Sequence, residues 1–368
     1  MTQPNEKPGL NSKRCVSRGM SHRERVCTAL SHREPDRLPI DLGGTFLSSA
    51  PPEMQRRIAE VLGLAGEPDP RFEKFDDRIQ RRFDCDLRSI TPARGVNWGY
   101  TDVQDAPMGN ATVDDLGNYP WPQPDDAMIA GVRDKARFLH EQTDYFICAS
   151  QIGMGVFELG CRLRGYERIL FDMAADKEFV HALNRKLLEV NLRLGDFYFG
   201  EIGCHADMVL LGDDLASQNA PYMSPECFRE LVKPYFAEYV ASIKRQCPRA
   251  IIAHHCCGSS FRLLDDLAEI GVEVINPVQT RAHEMSPENL AQKKDVLSFH
   301  GGVDLQHVLP HGTVGEVEEF VKDLIRHLGP GGGYILAACH TLPDDVKPEN
   351  VVAMLEAALR WGAYPLKF

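Results

Sequence analysis

The stretch Asp207-Met-Val-Leu-Leu-Gly212 is apolar at every position between its opening aspartate and its closing glycine, and Ala250-Ile-Ile-Ala-His-His255 follows the same pattern. A strand with one wet face alternates apolar and polar side chains, whereas a parallel strand covered on both faces does not. Both runs therefore predict buried parallel strands. Five more are read with them, most of the same character: Leu87–Thr91 (LRSIT), Asp144–Ser150 (DYFICAS), Val272–Pro277 (VEVINP), Leu297–Val303 (LSFHGGV) and Gly333–Ala338 (GYILAA). An eighth, Arg37–Gly43 (RLPIDLG), precedes them all and ends in Asp41 and two glycines.

Helical patterns with legible starts separate these runs. Ser21-His-Arg-Glu24 and Thr313-Val-Gly-Glu316 are capping boxes, and Ser224-Pro-Glu226 and Ser286-Pro-Glu288 each offer an N-cap followed by proline in the first turn. Eight strands alternating with helices predict an α/β fold of the (β/α)8 TIM-barrel type, which accounts for 368 residues without a second domain. A doubly wound open sheet is the alternative. Residues 1–20, polar and rich in Pro, Gly and Asn, read as a flexible N-terminal arm, and residues 21–368 as the barrel. The interval 92–126, with Trp98-Gly-Tyr100 and Tyr119-Pro-Trp-Pro122, is too irregular for a simple βα loop and predicts an excursion at the barrel mouth, a small hairpin or lid. Gly329-Pro-Gly-Gly-Gly333 precedes a strand, where a phosphate cradle would precede a helix, so it reads as a helix end and turn.

With 53 acidic against 41 basic residues and a net charge of -12, the chain is not built to bind nucleic acid or anionic membrane broadly. No apolar run reaches the roughly 20 residues that a membrane span requires, and the first residues lack the apolar middle of a secretory signal. A cytoplasmic location is expected. Eleven scattered cysteines fit a reducing compartment better than a disulfide scaffold, and Cys27, Cys85, Cys148, Cys161, Cys204, Cys227 and Cys247 read as buried thiols. Nothing in the sequence distinguishes a monomer from a homodimer.

Chemistry concentrates in Ala253-His-His-Cys-Cys-Gly-Ser259, at the carboxyl end of the fifth expected strand, where barrel enzymes carry their sites. Alternation of side chains along an extended segment pairs His255 with Cys257, or His254 with Cys256. Imidazole and thiolate are ligands zinc prefers, but two do not hold it well, and a third is expected from another strand end. Cys339 ends the eighth expected strand, with His340 beside it. Three protein ligands would leave one corner open, as in catalytic zinc sites. Adjacent cysteines lack the spacer of a thioredoxin-like redox pair, and buried, inert thiols are the remaining alternative.

The chain resembles the uroporphyrinogen decarboxylase superfamily, and in particular its zinc- and corrinoid-dependent methyltransferase branch. The resemblance is carried by His255-Cys-Cys-Gly258, by Cys339 followed by Pro348-Glu-Asn350, and by the opening Arg23-Glu-Arg…Pro35-Asp-Arg-Leu-Pro39. Phe157-Glu158, Gly212-Asp-Asp214, Asn276-Pro-Val-Gln279 and His300-Gly-Gly-Val-Asp304 add to it. It implies a (β/α)8 barrel with zinc on His255, Cys257 and Cys339, and His340 as the substitute third ligand. The decarboxylase's own aspartate motif is missing, since the matching region reads Ser89-Ile-Thr-Pro-Ala-Arg94, and so is its arginine-rich opening.

What the resemblance implies for activity is methyl transfer between a small molecule (a methyl ether, amine, thiol or folate) and a corrinoid cofactor. The Asp-x-His-x-x-Gly corrinoid motif does not occur, so the corrinoid (cobalamin) is expected on a separate partner protein. Glu158 and Asp214 are the candidate catalytic carboxylates; Asp41, Asp213, Asn276, Gln279, His300 and Asp304 are the candidate substrate contacts. Helix capping is the competing role for Asp213 and Asp214, and turn stabilisation for Asn276 and Gln279. A metal-free decarboxylase and a non-catalytic binding barrel are the rival functions.

Overall fold

The computed structural model describes residues 19–368 apart from 73 and 103, so most of the expected N-terminal arm lies outside the described residues. Seven of the eight expected runs are parallel strands paired in chain order: β1 (Leu87–Ile90), β2 (Phe146–Ser150), β3 (Met208–Gly212), β4 (Ile251–His255), β5 (Val274–Asn276), β6 (Ser298–Val303) and β7 (Tyr334–Ala338). Each lies inside its expected run, trimmed by one to three residues.

The eighth run is not a strand in its own right. Around Arg37–Gly43 only Ile40 bridges to the sheet, in parallel with Leu336, while Arg37 bridges antiparallel to Ala363 outside it. That short segment still joins both edges of the sheet. Leu336 N donates to Pro39 O at 3.0 Å and Asp41 N to Leu336 O at 2.9 Å, while Asp86 N, just before β1, donates to Ile40 O at 2.9 Å. Pro39 lacks an N–H and two glycines follow Leu42, so the ladder cannot extend in either direction. The result is a TIM-barrel-like curl of seven strands, closed by one extended segment.

Alternation along the strands divides the core. Leu87, Cys148, Met208, Leu210, Ala253 and Ile335 pack together inside the curl. Their chain neighbours Ile147, Val209, Leu211, Ile252 and Leu336 belong to a larger core between sheet and helices. Both faces are dry, as the unalternating runs require.

The helix His22–Leu30 seals the amino-terminal end. Its expected capping box is formed by Ser21 and Glu24, Val26 packs into the inner cluster, and Arg23 N donates to Asp144 O at 2.7 Å. Beneath it the fully buried Asp86 takes Arg25 Nη1 at 2.6 Å and Arg37 Nη1 at 2.8 Å, two cations for one carboxylate. Cys27, expected to be buried, is exposed on this helix. The other three expected N-caps also form, at Ser224, Ser286 and Thr313.

With one end plugged, the carboxyl end is left for loops. The interval 92–126 contains no strand among the described residues, so the expected hairpin is absent; its one regular element before the helix Asp126–Ile129 is a 3-10 turn at Asp114–Gly117. It is held by its aromatics. Tyr119 Oη donates to Trp98 O at 2.6 Å, Trp121 Nε1 to Leu116 O at 2.7 Å, and Tyr100 Oη reaches Met154 Sδ at 3.5 Å.

Candidate metal centre

A cleft of about 650 Å³ opens at the carboxyl ends of the strands. Its lining comes from the loop after the closing segment (Thr45, Phe46, Leu47, Ser49), from the ends of β1 and β2 (Ser89, Thr91, Ser150, Gln151), and from Met154, Glu158, Arg162, Asp214, His255 and His340. The helix Val156–Arg164 forms one wall. Its first turn is held by Asp213, which accepts from Glu158 N at 2.7 Å and Phe157 N at 3.2 Å.

The strand pleat decides between the two imidazoles. Ala253 faces the inner cluster, so His255 does too, and His254 faces the helices. The His254 ring lies 4.9 Å from that of Phe236, fully buried, with neither nitrogen hydrogen-bonded. Burial lowers its pKa to about 3, which keeps it neutral and apolar in behaviour. Cys256 turns away with it, its buried Sγ accepting from Leu215 N at 3.3 Å.

His255 and Cys257 meet instead, with Nε2 and Sγ 3.4 Å apart. Gly258 makes the turn that allows this. Its φ is +84°, and a Cβ there would stand 2.3 Å from Ser217 O, so no L side chain fits. Gln279 secures the turn by accepting from Gly258 N at 2.9 Å and pairing with Gln218.

His340 completes a cluster in which the ligand atoms of His255, Cys257 and His340 all lie within 4.8 Å of one another. Cys339, the expected third ligand, is not in it. Its buried thiol donates to Val278 O at 3.4 Å. One residue beyond β7 the chain has left the extended conformation, and it is the following imidazole that swings into the cleft, with its ring centroid 5.4 Å from that of His255.

The donors suit a soft-to-borderline cation. Bond lengths of about 2.05 Å to nitrogen and 2.3 Å to sulfur make tetrahedral edges of about 3.3 Å (N to N) and 3.6 Å (N to S). The 3.4 Å contact already has that spacing. Burial pushes the Cys257 thiol up to about 12, with Asp214 and Glu158 adding to it, so a bound cation is what would make it a thiolate. Burial and the neighbouring His255 lower the pKa of His340, leaving a neutral imidazole with a free lone pair. Asp214 Oδ1 accepts from Cys257 N at 2.8 Å and stands 3.8 Å from His255 Nε2.

Behind His255 runs a buried chain of hydrogen bonds. His255 Nδ1 lies 2.6 Å from Asn276 Oδ1, Asn276 Nδ2 lies 3.0 Å from His300 Nδ1, and His300 Nε2 lies 2.9 Å from Asp41 Oδ2. With both imidazoles neutral and Asn276 Oδ1 turned to His255, the chain is satisfied when His255 donates from Nδ1, Asn276 donates to His300 Nδ1, and His300 donates from Nε2 to Asp41. His255 Nε2 is thereby left as a lone pair facing the cluster.

None of the expected substrate contacts lines the cleft. Asp41, Asn276 and His300 form the buried chain, Asp213 caps a helix and Gln279 holds a turn. Asp304 pairs with Arg281 and accepts from Gln306 N at 2.7 Å. The two expected catalytic carboxylates do reach the cleft, although Glu158 is paired with Arg162 Nη2 at 2.6 Å. Sequence reasoning missed Ser89, Thr91, Ser150 and Gln151; their position at the ends of correctly expected strands was the available signal.

A barrel with its cleft at the strand ends and an imidazole–thiol cluster at the cleft wall defines the class: a TIM-barrel-like protein with a candidate metal site. The chain belongs to the uroporphyrinogen decarboxylase (URO-D) family, whose model matches residues 85–361. In overall fold it is similar to a methyltransferase from Methanosarcina mazei, at 17% identity and a TM-score of 0.62, over 93% of this chain and 99% of that one. A xylanase 10B from Thermotoga maritima aligns over 83% of this chain and 98% of that one, at 12% identity and a TM-score of only 0.41. No curated protein matches by sequence.

Proposed function

We propose that this protein is a zinc-dependent methyltransferase that moves a methyl group between a small molecule and a corrinoid carried by a separate protein, in the cytoplasm. The observation that carries the reading is the cluster of His255, Cys257 and His340, whose two imidazoles line a cleft large enough for a small substrate. The family and the methyltransferase of like fold support it.

His255 Nε2, Cys257 Sγ and an imidazole nitrogen of His340 would hold the ion. When bound, zinc supplies Lewis acidity to the heteroatom that gives up or receives the methyl group. The chain's own residues do the rest. Asn276, anchored through His300 to Asp41, holds the proton of His255 on Nδ1 and keeps its ring oriented. Asp214 fixes the Cys257 backbone, and its carboxylate beside the cluster can take a proton from an arriving thiol or return one to a departing oxygen. Phe46, Leu47, Ile152 and Met154 give the cleft apolar walls that exclude water from the methyl group. The open strand-end rim leaves an approach for the corrinoid partner.

The test is metal analysis of wild type beside Cys257→Ser, followed by a spectroscopic assay of cobalt methylation with candidate methyl ethers, amines and thiols. Zinc bound at one equivalent and lost in the variant, with methyl transfer that needs a corrinoid protein, is the expected result. Equal zinc in both proteins, or turnover with no corrinoid present, refutes the reading.

A further inference from the structure

Of the lysine, arginine and carboxylate side chains that line the main cleft, only Lys74 has no partner of opposite charge among the described residues. Glu158 is neutralised by Arg162 at 2.6 Å. Asp214 is turned toward the imidazole–thiol cluster, where it accepts from Cys257 N and stands 3.8 Å from His255 Nε2. The exposed Lys74 therefore carries the one charge in this cleft that the protein itself does not balance.

Beside Lys74 the end of β1 supplies hydroxyls. Ser89 follows Leu87 of the inner cluster by two residues and so faces inward, and Thr91, just past the strand, lines the cleft with it. Ser89 is 7% exposed, and neither its Oγ nor Thr91 Oγ1 has a hydrogen-bond partner among the described residues. Ser150 Oγ on the neighbouring strand is sealed in protein, whereas Ser89 Oγ is open to the cleft. Lys74 and Ser89 also share the wall of a second cavity of only about 10 Å³, which makes them near neighbours. A hydroxyl so deeply buried is costly unless something takes its proton in a hydrogen bond. A group that faces two hydroxyls and an ammonium is an acceptor with negative charge, and a carboxylate meets both conditions.

We propose that the small molecule bound in this cleft is a monocarboxylate, held at its acid end by Lys74, Ser89 and Thr91. One unbalanced cation calls for one negative charge, which selects a monoanion over a dianion. β2 and β3 separate β1 from β4 around the rim, so the acid end is set apart from the imidazole–thiol cluster within a single cleft. The body of the molecule lies against the apolar side chains of Phe46, Ile152 and Met154. The inference deepens the proposed methyl transfer and rests on it only for which end carries the methyl group; the acid site is read by binding alone.

The test is titration calorimetry of the full-length protein with ω-methoxyalkanoates, from methoxyacetate to methoxyhexanoate, each beside the methoxy alcohol of the same length. At the best length the acid should bind about tenfold tighter than its alcohol, the size of a hydrogen-bonded contact to a charged group. Lys74→Met, at an exposed position, should bring that ratio below about twofold, and Ser89→Ala should weaken the acid about threefold. The preference should also shrink as ionic strength rises. Equal affinity for acid and alcohol at every length, no binding of any acid, or a preference that survives in Lys74→Met overturns the proposal. The two readings fail separately. Acid preference in a protein that transfers no methyl group refutes the activity and leaves the acid site standing, whereas methyl transfer from acids and alcohols alike, with no difference in binding, refutes the acid site alone.

Discussion

Replacing His340 by alanine should abolish tight zinc binding, whereas replacing its neighbour Cys339 by serine should leave it nearly intact. The expectation follows from where the atoms lie. His255 Nε2 and Cys257 Sγ, at 3.4 Å, already stand at a tetrahedral edge, and the His340 ligand atom lies within 4.8 Å of both, a gap that a side-chain rotation closes. The Cys339 thiol is buried against Val278 O and would have to give up that contact and reorient to join them. Loss of a partner in the outer shell alone weakens metal binding about 10–100-fold. Loss of a direct ligand should therefore exceed about 100-fold, or roughly 2.7 kcal/mol, in His340→Ala. Cys339→Ser should stay within about threefold of wild type, near 0.6 kcal/mol. Competition with a chromophoric zinc chelator measures both affinities. Cobalt(II) substitution adds an independent reading, because the thiolate-to-cobalt absorption should persist in Cys339→Ser and vanish in Cys257→Ser. If Cys339→Ser lost zinc as severely as Cys257→Ser while His340→Ala kept it, the geometric reasoning would be refuted.

Asn276→Leu should weaken zinc binding about 10–100-fold by freeing the His255 ring, and should lower stability by about 1–3 kcal/mol for each imidazole nitrogen left unpaired; chelator competition and urea melts report the two effects separately. Gly258→Ala, at φ +84° and 2.3 Å from Ser217 O, should cost at least about 2 kcal/mol and displace Cys257, visible as lower zinc occupancy of the folded protein. Asp86→Ala leaves Arg25 and Arg37 without their buried counter-charge and should cost about 3–5 kcal/mol in denaturant unfolding. Because Asp86 lies at the opposite end of the barrel, zinc affinity should not change. For His22, burial lowers the pKa but hydrogen bonds to Asp84 and Asp144 more than offset it, so the folded value is raised. Its contribution is then fully present below the unfolded pKa of about 6.5 and is lost as the pH rises through the folded value. His22→Gln should destabilise the protein more at pH 5.5 than at pH 9, by under about 1 kcal/mol because both aspartates are half exposed; urea melts at the two pH values decide it.

How legible each element was depended on whether its signal was local. Unalternating apolar runs marked most of the seven strands, because a strand dry on both faces has no reason to alternate, and the capping residues Ser21, Ser224, Ser286 and Thr313 marked helix starts through bonds made within four residues. The closing segment around Ile40 was over-read as a strand. Its apolar character was real, but Pro39 and the glycines after Leu42 limit the ladder to one bridge, and only the two flanking strands make that bridge close the barrel.

The sequence by itself determined the parallel sheet and the strand end at which two imidazoles and two thiols gather, while the pleat of β4 chose His255 over His254 and the turn at Gly258 brought Cys257 against it. Tertiary structure alone decided the third member of the cluster. Cys339 and His340 are adjacent in the chain, and which of them faces the cleft depends on how the backbone leaves β7 against Val278 and Val303. Tertiary structure also gathered Asp41 from the closing segment, Asn276 from β5 and His300 from β6 into one buried chain behind His255. Their spacing of 235 and 24 residues along the sequence leaves no local pattern to read. A hydrogen bond between such positions exists only after the barrel has closed and brought their strands within reach.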